Sequence, residues 1–456
     1  MAAGKGINES PIPADFINRM NVRYGEAECN NVCAGLMADP SVSVQLSPIK
    51  HSDRFTQDAV VPWYPNGRLL TARPAFTLDP LYHAGAYYSQ ESSSMFLAYA
   101  LQSLEMPDTD ALRALDLCAA PGGKSLLLAH FLRQRGVVIC NEVNKQRNSV
   151  LIENMTKSGC HNYAVASASA EAWGQMPAYF DVVLVDAPCS GEGMFRKDMQ
   201  ARTEWSLANV EMCASRQREI LEKVLPAIKP GGYLIYSTCT FAPQENEDIV
   251  QFLIDDYQME PIDLQPPAEW QIDEVGTDHL LGYRFWPHRT PGEGLFMTVL
   301  RTPQSGQMFH RIKPKPLFQL ADKRTLPIIR SFVEVAEAVM DGRGVYHASP
   351  LSLDELNHWA HFVYFTAPGC VLGEVKRTDF IPDAALALVS EFQLHVDRIP
   401  LSQEEALSYL RGESLELPVG QGWALVTHEG LGLGWVKRMG QRSNNYYPKE
   451  WRIRMR

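Results

Sequence analysis

Between about residues 112 and 300, short apolar runs alternate with stretches of helical character, and this alternation limits the fold more than any other feature. Parallel strands need long crossover connections, usually helices, so such an alternation is typical of a parallel sheet covered by helices. The pattern therefore predicts an α/β fold with a Rossmann-like core. Its strand candidates are 113–118, 137–142, 163–167, 181–186 and 233–237.

The end of this block has two further signals. A helix is predicted over about 214–228, and Gly231 and Gly232 separate it from the last strand. Two apolar runs, at 282–286 and 295–300, predict an antiparallel hairpin that closes the sheet.

The chain of 456 residues is too long for one ordinary domain and suggests about two to four compact units. We divide it into an N-terminal accessory domain (1–80), a catalytic domain (81–305), a small α+β middle domain (306–385) and a terminal domain (386–456). A stretch with Pro and Lys at 311–316 is interpreted as a linker. Short apolar runs with Gly and Trp over 415–456 predict a β-rich terminal segment.

Composition limits the compartment and the chemistry. The first thirty residues contain charged side chains such as Asp15 and Arg19, so they predict neither a signal peptide nor a membrane anchor. Nine cysteines without framework spacing favour reduced thiols in a cytoplasmic protein. Cys29 and Cys33 have no second pair nearby at metal-ligand spacing, so no metal site is predicted.

Charge is distributed unevenly along the chain. The formal net charge of −11 argues against a protein coated in positive charge for nonspecific nucleic-acid binding. After Val436, only Glu450 opposes a concentration of basic residues: Lys437, Arg438, Arg442, Lys449, Arg452, Arg454 and Arg456. This basic terminal segment is either a solvated tail or a surface that binds RNA.

A run of small residues follows the first predicted strand and opens a helix: Asp116-Leu117-Cys118-Ala119-Ala120-Pro121-Gly122-Gly123-Lys124-Ser125. Small residues let the backbone approach a nucleotide-like ligand, and a helix N-terminus offers N–H groups to a carboxylate or phosphate. The run lacks the Gly-x-Gly-x-x-Gly pattern, and Cys118 stands where a P-loop has its first Gly. We interpret it as a cofactor loop, with a plain strand-to-helix turn as the alternative.

Glu142 ends the second predicted strand. In doubly wound folds a carboxylate at this position faces the ribose of the cofactor and accepts hydrogen bonds from its hydroxyls. We therefore predict a ribose ligand at Glu142, and a solvated acid is the alternative.

Two cysteines follow the fourth and fifth predicted strands. Cys189 lies in Asp186-Ala187-Pro188-Cys189-Ser190-Gly191-Glu192-Gly193, and Cys239 lies in Tyr236-Ser237-Thr238-Cys239-Thr240. Both emerge at the sheet edge that carries the cofactor loop, where ligands bind in such folds. Cys239, Cys189 and Asp186 can supply a nucleophile, a base and an acid there. Position alone does not order the two thiols, and taken singly either one is more commonly a buried inert cysteine.

Taken together, the segments 116–125, 186–193 and 236–240, followed by Gln244-Glu245-Asn246-Glu247, closely resemble the Sun-type family of RNA cytosine carbon-5 methyltransferases. The segment 85–91 resembles the family's entry into the catalytic domain, and Pro287-His288 with 292–294 resembles a segment near its end. The terminal stretch 432–438, followed by Tyr447-Pro448, resembles the PUA-type RNA-binding module of the family's RsmF-like branch, which modifies small-subunit ribosomal RNA.

The resemblance implies an enzyme that methylates carbon 5 of cytosine in 16S ribosomal RNA with S-adenosylmethionine. In that family the later cysteine attacks, so Cys239 is the expected nucleophile and Cys189 the residue that assists product release, while Asp186 lies between cofactor and base. The cofactor-binding residues that it implies are Cys118, Ala119, Ala120, Pro121, Gly122, Gly123, Lys124, Glu142, Arg147 and Asp186.

One departure from the family concerns the adenine contact. Family members commonly carry an Asp near the end of the third strand, whereas residues 167–171 here read Ser-Ala-Ser-Ala-Glu, so that contact is unassigned. The expected partner is ribosomal RNA or the small ribosomal subunit, guided to the site by the basic terminal segment with Arg196 and Lys197. No membrane or obligate protein partner is expected, and the chain is expected to be a monomer. The competing interpretations are the same chemistry on transfer RNA and a catalytically silent RNA-binding assembly factor.

Overall fold

The predicted parallel strands and closing hairpin form one sheet in a computed structural model of the protein, which describes residues 11–276, 279, 281–304 and 316–454. The linker predicted at 311–316 lies outside the described residues except for Pro316, and so does Arg456 of the basic terminal segment.

The N-terminal region combines a pair of helices with a four-stranded antiparallel sheet. Its elements are α1 (Ala14–Tyr24), α2 (Glu26–Met37), β1 (Val42–Leu46), β2 (Ala59–Val61), β3 (Tyr64–Leu70), α3 (Pro80–His83), β4 (Tyr87–Ser89) and α4 (Phe96–Gln102). The strand order is β2-β3-β1-β4. Gly25 joins α1 directly to α2 with a positive φ of 82°, a conformation that glycine adopts at little cost.

The catalytic region contains β5 (Leu112–Asp116), α5 (Gly123–Leu132), β6 (Gly136–Asn141), α6 (Lys145–Ser158), β7 (Tyr163–Ser167), α7 (Ala170–Gly174), β8 (Phe180–Asp186), α8 (Met199–Glu204), α9 (Leu207–Val224), β9 (Ile228–Thr238), α10 (Glu247–Tyr257), β10 (Glu260–Pro261), β11 (Asp273–Val275), β12 (Gly282–Phe285) and β13 (Leu295–Arg301). The middle region contains β14 (Gln319–Leu320), α11 (Thr325–Arg330), β15 (Val339–Met340), β16 (Val345–Ala348), α12 (Leu353–Trp359), β17 (Tyr364–Ala367), β18 (Cys370–Lys376), β19 (Asp379–Pro382) and α13 (Ala384–Leu388).

The central sheet has the order β11-β12-β13-β9-β8-β5-β6-β7-β17, with β10 paired to β13. Strands β9, β8, β5, β6 and β7 are parallel, whereas β13 and β17 run antiparallel to their neighbours. The α/β fold class with a Rossmann-like core is therefore confirmed. The strands are nearly continuous apolar runs because helices cover both faces of the sheet.

Two predicted boundaries in this region were wrong. The helix predicted at 214–228 is α9, which begins earlier because Ser206 caps it by accepting a hydrogen bond from Asn209 N at 3.1 Å. It ends before a 3₁₀ turn that contains Pro226. Gly231 and Gly232 do not precede β9 but lie within it, at a register shift where Gly231 has a φ of 71°.

The terminal region is β-rich, as predicted. It contains β20 (Asp397–Pro400), α14 (Gln403–Arg411), β21 (Gly420–His428), β22 (Leu431–Gly440) and β23 (Arg442–Asn445), in the sheet order β20-β21-β22-β23. Its core includes Tyr409 and Tyr447 and also Ala84 of the N-terminal region, so these two regions pack together. None of the helices described is long and apolar enough to cross a membrane.

Arg438 shows that the basic terminal segment is not a solvated tail. This residue is buried and paired with Asp397. Lys437 lies with its Nζ 5.3 Å from the centroid of the Trp423 ring, and the Trp423 and Tyr446 rings are in contact at 4.5 Å. The segment is therefore part of a folded sheet with cations and aromatic rings on its surface.

Candidate active site

The cofactor loop connects β5 to α5 at the carboxyl edge of the sheet. Asp116, the last residue of β5, is fully buried and accepts a hydrogen bond from Ser125 Oγ at 2.6 Å through Oδ2. Its Oδ1 has no hydrogen-bond partner among the described residues. Burial raises the pKa of Asp116 to about 7, although the hydrogen bond from Ser125 acts to lower it. Since Asp116 also lines the cavity beside the loop, it presents an unsatisfied acceptor to a ligand.

That cavity has a volume of about 350 Å³. The predicted site residues in its wall are Cys118, Ala119, Ala120, Pro121, Gly123, Lys124, Asp186 and Cys239. Gly122 is different, because its φ of 118° shapes the turn and an added Cβ would lie 3.2 Å from Leu151 Cδ1 of α6. Gly122 therefore serves the conformation of the loop, while its neighbours face the cavity.

Glu142 and Arg147 lie beside the cofactor loop. Glu142 is buried, and its carboxylate accepts a hydrogen bond from Asn144 N at 2.8 Å and pairs with Arg147 Nη1 at 3.3 Å. Arg147 Nη2 also donates to the carbonyl oxygen of Ala120 at 2.6 Å. Arg147 therefore links the predicted ribose ligand to the loop.

The two predicted reactive thiols are brought together. Cys189 Sγ and Cys239 Sγ are 3.3 Å apart, within hydrogen-bond distance for sulfur. Two further bonds join the loops that carry them, from Gly193 N to Cys239 O at 2.8 Å and between the hydroxyls of Ser190 and Thr240 at 2.9 Å. The hydrogen bond to Cys239 and burial raise the pKa of Cys189. Hydrogen bonds between the two loops therefore hold the pair of thiols in place.

Lys124 and Asp186 form a charged pair next to the thiols. Lys124 Nζ lies 2.8 Å from Asp186 Oδ1, and Ser237 Oγ donates to the same oxygen at 2.7 Å. Burial lowers the pKa of Lys124, but the charge of Asp186 and its hydrogen bond, together with the charges of Cys239 and Glu91, raise it, and the net pKa is raised. The charged ammonium group of Lys124 therefore lies in the same cavity wall as Cys239.

Glu192 has a role next to the site that was not predicted from the sequence. It is fully buried and accepts hydrogen bonds from Arg19 at 2.6 Å, Trp205 Nε1 at 3.0 Å and Phe241 N at 3.0 Å. It thereby ties α1 to the loops after β8 and β9. The residue was visible in the motif after Cys189, but its partners lie far away in the sequence and only the fold shows them.

The rest of the cavity wall comes largely from outside the parallel strands. It contains Tyr88, Ser89, Gln90, Glu91, Ser94, Met194, Lys197 and Glu293. Glu91 accepts hydrogen bonds from Ser93 N at 2.8 Å and Glu293 N at 3.0 Å, which joins two of the segments that carried the family resemblance.

The two basic residues predicted to guide RNA have different environments. Lys197 lines the cavity and lies 3.3 Å from Glu293 Oε1. Arg196, in contrast, has only 11% of its side chain exposed and donates to the carbonyl oxygens of Gly292 and Asp39 at 3.1 and 2.5 Å. The predicted role of Arg196 in guiding RNA was wrong, because its guanidinium is used to hold two loops.

The sheet order and the cavity at the carboxyl edge of its parallel strands define the class of Rossmann-like methyltransferases. Three family models match the chain: 16S rRNA methyltransferase RsmB/F at 101–301, the N-terminal domain of 16S rRNA methyltransferase RsmF at 12–92, and the methyltransferase RsmF PUA domain at 396–453. The chain belongs to the 16S rRNA methyltransferase RsmB/F family, and the predicted family and enzyme class are confirmed.

Curated relatives agree over most of the chain. The ribosomal RNA small subunit methyltransferase F of Shewanella loihica is 30% identical over 443 residues, which cover 90% of this chain and 88% of that protein. The enzyme of the same name from Aeromonas hydrophila is 31% identical and covers 80% and 79%.

Two solved structures from Pyrococcus horikoshii share the fold. A methyltransferase homolog protein is 28% identical with a TM-score of 0.54, and the match covers 63% of this chain and 94% of that one. The crystal structure of NSun6 with SFG has a TM-score of 0.53 at 19% identity, over 64% and 98% of the two chains. At that identity the second match supports the fold alone.

Proposed function

We propose that this protein methylates carbon 5 of cytosine in 16S ribosomal RNA, with S-adenosylmethionine as the methyl donor and Cys239 as a covalent nucleophile. The observation that carries the proposal is the pair of thiols, Cys189 and Cys239, whose sulfurs lie 3.3 Å apart beside the cofactor loop. The names of the curated relatives support small-subunit ribosomal RNA as the substrate, and such a substrate supports a cytoplasmic location for the enzyme.

The chemistry of cytosine accounts for two thiols. Carbon 5 is a weak nucleophile, and addition of a thiolate to carbon 6 makes it an enamine carbon that can accept a methyl group. Cys239 is assigned the attack because the family resemblance assigns attack to the later cysteine. Cys189, within hydrogen-bond distance of Cys239, is assigned removal of the proton from carbon 5 as Cys239 leaves.

Asp186 is assigned to the cytosine ring. Its Oδ1 is held by Lys124 and Ser237, so the carboxyl group is fixed in orientation while it lines the cavity. A carboxyl group held in this way can hold a proton at ring nitrogen 3 and so stabilise the charge that forms when Cys239 adds to the ring.

The residues at the loop fit a nucleoside-type methyl donor. Asp116 Oδ1 is a buried acceptor without a partner among the described residues, Ala119 and Ala120 leave the backbone accessible, and Glu142 holds a carboxylate directly after β6. We assign the donor to the segment 118–124, Glu142, Arg147 and Asp186. When bound there, it supplies an electrophilic methyl group to carbon 5.

The test compares RNA substrates. Purified protein and radiolabelled methyl donor are incubated in three parallel reactions. One contains protein-free 16S ribosomal RNA, one contains assembled small subunits and one contains bulk transfer RNA. We expect 5-methylcytosine, identified by mass spectrometry of nucleosides, in at least one of the first two. Label in transfer RNA alone would favour the alternative substrate. Absence of label in every RNA, with the donor bound, would favour a silent assembly factor.

The surface formed by Trp423, Lys437 and Tyr446 is assigned to RNA binding, because aromatic rings beside cations stack on unpaired bases. Lys437→Glu combined with Tyr446→Ala should weaken binding of 16S ribosomal RNA by about tenfold or more, since one stacked base contributes about 1–3 kcal/mol. Donor affinity should not change. The control is Lys376→Glu, the same change of charge at an exposed lysine of the middle region. Equal weakening in both proteins would contradict a specific surface.

A further inference from the structure

Glu245 places an ionisable group immediately behind the loop that carries Cys189. It is fully buried, and its Oε2 accepts hydrogen bonds from Ser190 N and from Gln217 Nε2, both at 2.9 Å. Its Oε1 has no hydrogen-bond partner among the described residues. Burial raises the pKa of Glu245 to about 7 against the hydrogen bonds from Ser190 and Gln217. Buried groups of this kind beside reactive residues are concentrated at functional sites.

A purely structural role does not need a carboxyl group at this position. The carbonyl oxygen of a glutamine would accept the same two hydrogen bonds, and it would avoid burying an ionisable group, which costs free energy. The hydroxyl of Tyr236 donates to the backbone oxygen of Glu245 at 2.6 Å, so this hydrogen bond does not depend on the side chain of residue 245. What glutamate adds is the ability to take up a proton.

The reaction needs a group that accepts a proton from the pair of thiols. Cys239 attacks as a thiolate, so during attack the proton of the pair is on Cys189. Cys189 must then lose that proton before it can accept the one on carbon 5. The hydrogen bond to Cys239, followed by burial and the charge of Glu245, raises the pKa of Cys189 and opposes its loss to water at neutral pH.

We propose that Glu245 is a positioning residue that acts through Cys189, whose proton its carboxylate takes once Cys239 is bonded to the ring. This inference rests on the proposed function. In the step that follows, the C5–H bond breaks, its proton goes to Cys189 Sγ, and its electron pair restores the C5–C6 double bond. The bond from carbon 6 to Cys239 Sγ breaks at the same time, and its electron pair returns to sulfur. The proton on Glu245 then passes to solvent, which accounts for the one proton released per methyl group taken from a sulfonium donor.

Four titratable groups face the Glu245 carboxyl from the elements packed against it. They are Cys189 and Glu192 on the loop after β8, Cys213 on α9 and Tyr236 on β9. Glu192 is neutralised by Arg19, and burial raises the pKa of Cys213 to about 11. Proton uptake near neutral pH is therefore assigned to Glu245 itself.

The test separates attack from release in Glu245→Gln. We expect formation of the covalent RNA adduct within about twofold of the unmodified protein, and release slower by about tenfold or more, in the range of general-base effects. The deficit should shrink as pH rises, because Cys189 then loses its proton directly. Glu245→Asp should recover part of the release rate. The control is Glu211→Gln, an exposed residue of α9. Adduct is measured by denaturing electrophoresis and release by rapid quench.

A purely structural role predicts another result. Attack and release would then fall together in Glu245→Gln, with no recovery at high pH and a lower thermal unfolding midpoint, and the inference would be overturned. Unchanged release would overturn it as well. If Cys189→Ala forms no adduct with RNA, the covalent mechanism is wrong and this inference is wrong with it. An adduct in Cys189→Ala beside normal release in Glu245→Gln rejects only the role of Glu245.

Discussion

Cys239→Ala should abolish methyl transfer, with a single-turnover rate at least about four orders of magnitude below that of the unmodified protein, as expected for loss of a covalent nucleophile. Donor affinity should stay within about twofold, because the bond from Gly193 N is to the backbone oxygen of Cys239 and survives the substitution. The rate is measured with radiolabelled donor and excess enzyme, and the affinity by calorimetry.

The control for this variant is Cys33→Ala. Cys33 lies on α2 outside the cavity, and burial raises the pKa of its thiol to about 12, so it is not a nucleophile at neutral pH. Its substitution should leave turnover near normal. Substantial methyl transfer by Cys239→Ala, with the product confirmed as 5-methylcytosine, would show that the covalent route through Cys239 is wrong.

Cys189→Ala should give the opposite result, an enzyme that attacks but does not release its product. The thiol next to Cys239 is removed, so no group at that position accepts the proton from carbon 5 and the bond to Cys239 persists. We expect a stable protein–RNA adduct that survives denaturing electrophoresis, and turnover lower by about a hundredfold or more.

Two further variants make this result specific. The double variant Cys189→Ala with Cys239→Ala should form no adduct, which would identify Cys239 as the attached residue. Cys213→Ala removes another thiol, on α9, and should neither trap RNA nor slow turnover. Full turnover by Cys189→Ala without an adduct would contradict the assigned role of Cys189 in product release.

The sequence predicted the parts of this site that depend on local order. The strands β5 to β9 alternate with helices along the chain, so their type could be read from hydrophobic periodicity. The carboxyl ends of parallel strands meet at one edge, and this was sufficient to place Asp116, Asp186, Cys189 and Cys239 near one another. The ordering of the thiols came from the family resemblance and not from this geometry.

Residues whose meaning depends on burial and distant partners could not be predicted. Arg196 was predicted to contact RNA because it follows the loop that carries Cys189. Its guanidinium instead donates hydrogen bonds to the carbonyl oxygens of Asp39 and Gly292. Glu192 bonds to Arg19 across 173 positions of sequence, and Glu245 is distinguished by a buried oxygen that has no partner in the described part of the chain. Such features follow from tertiary packing and leave no periodic signal in the chain.

Strand β17 has a consequence for how this protein is made and divided. It comes from the middle region and pairs with β7 as the last strand of the catalytic sheet. Its Phe365 and Trp359 of the preceding helix α12 lie in the core that also holds Trp173. A ribosome must therefore translate more than sixty residues beyond β13 before the sheet has its final edge. A fragment cut at residue 305 would expose the backbone of β7 as an open edge, a template for aggregation. Expression should therefore retain the chain through β17.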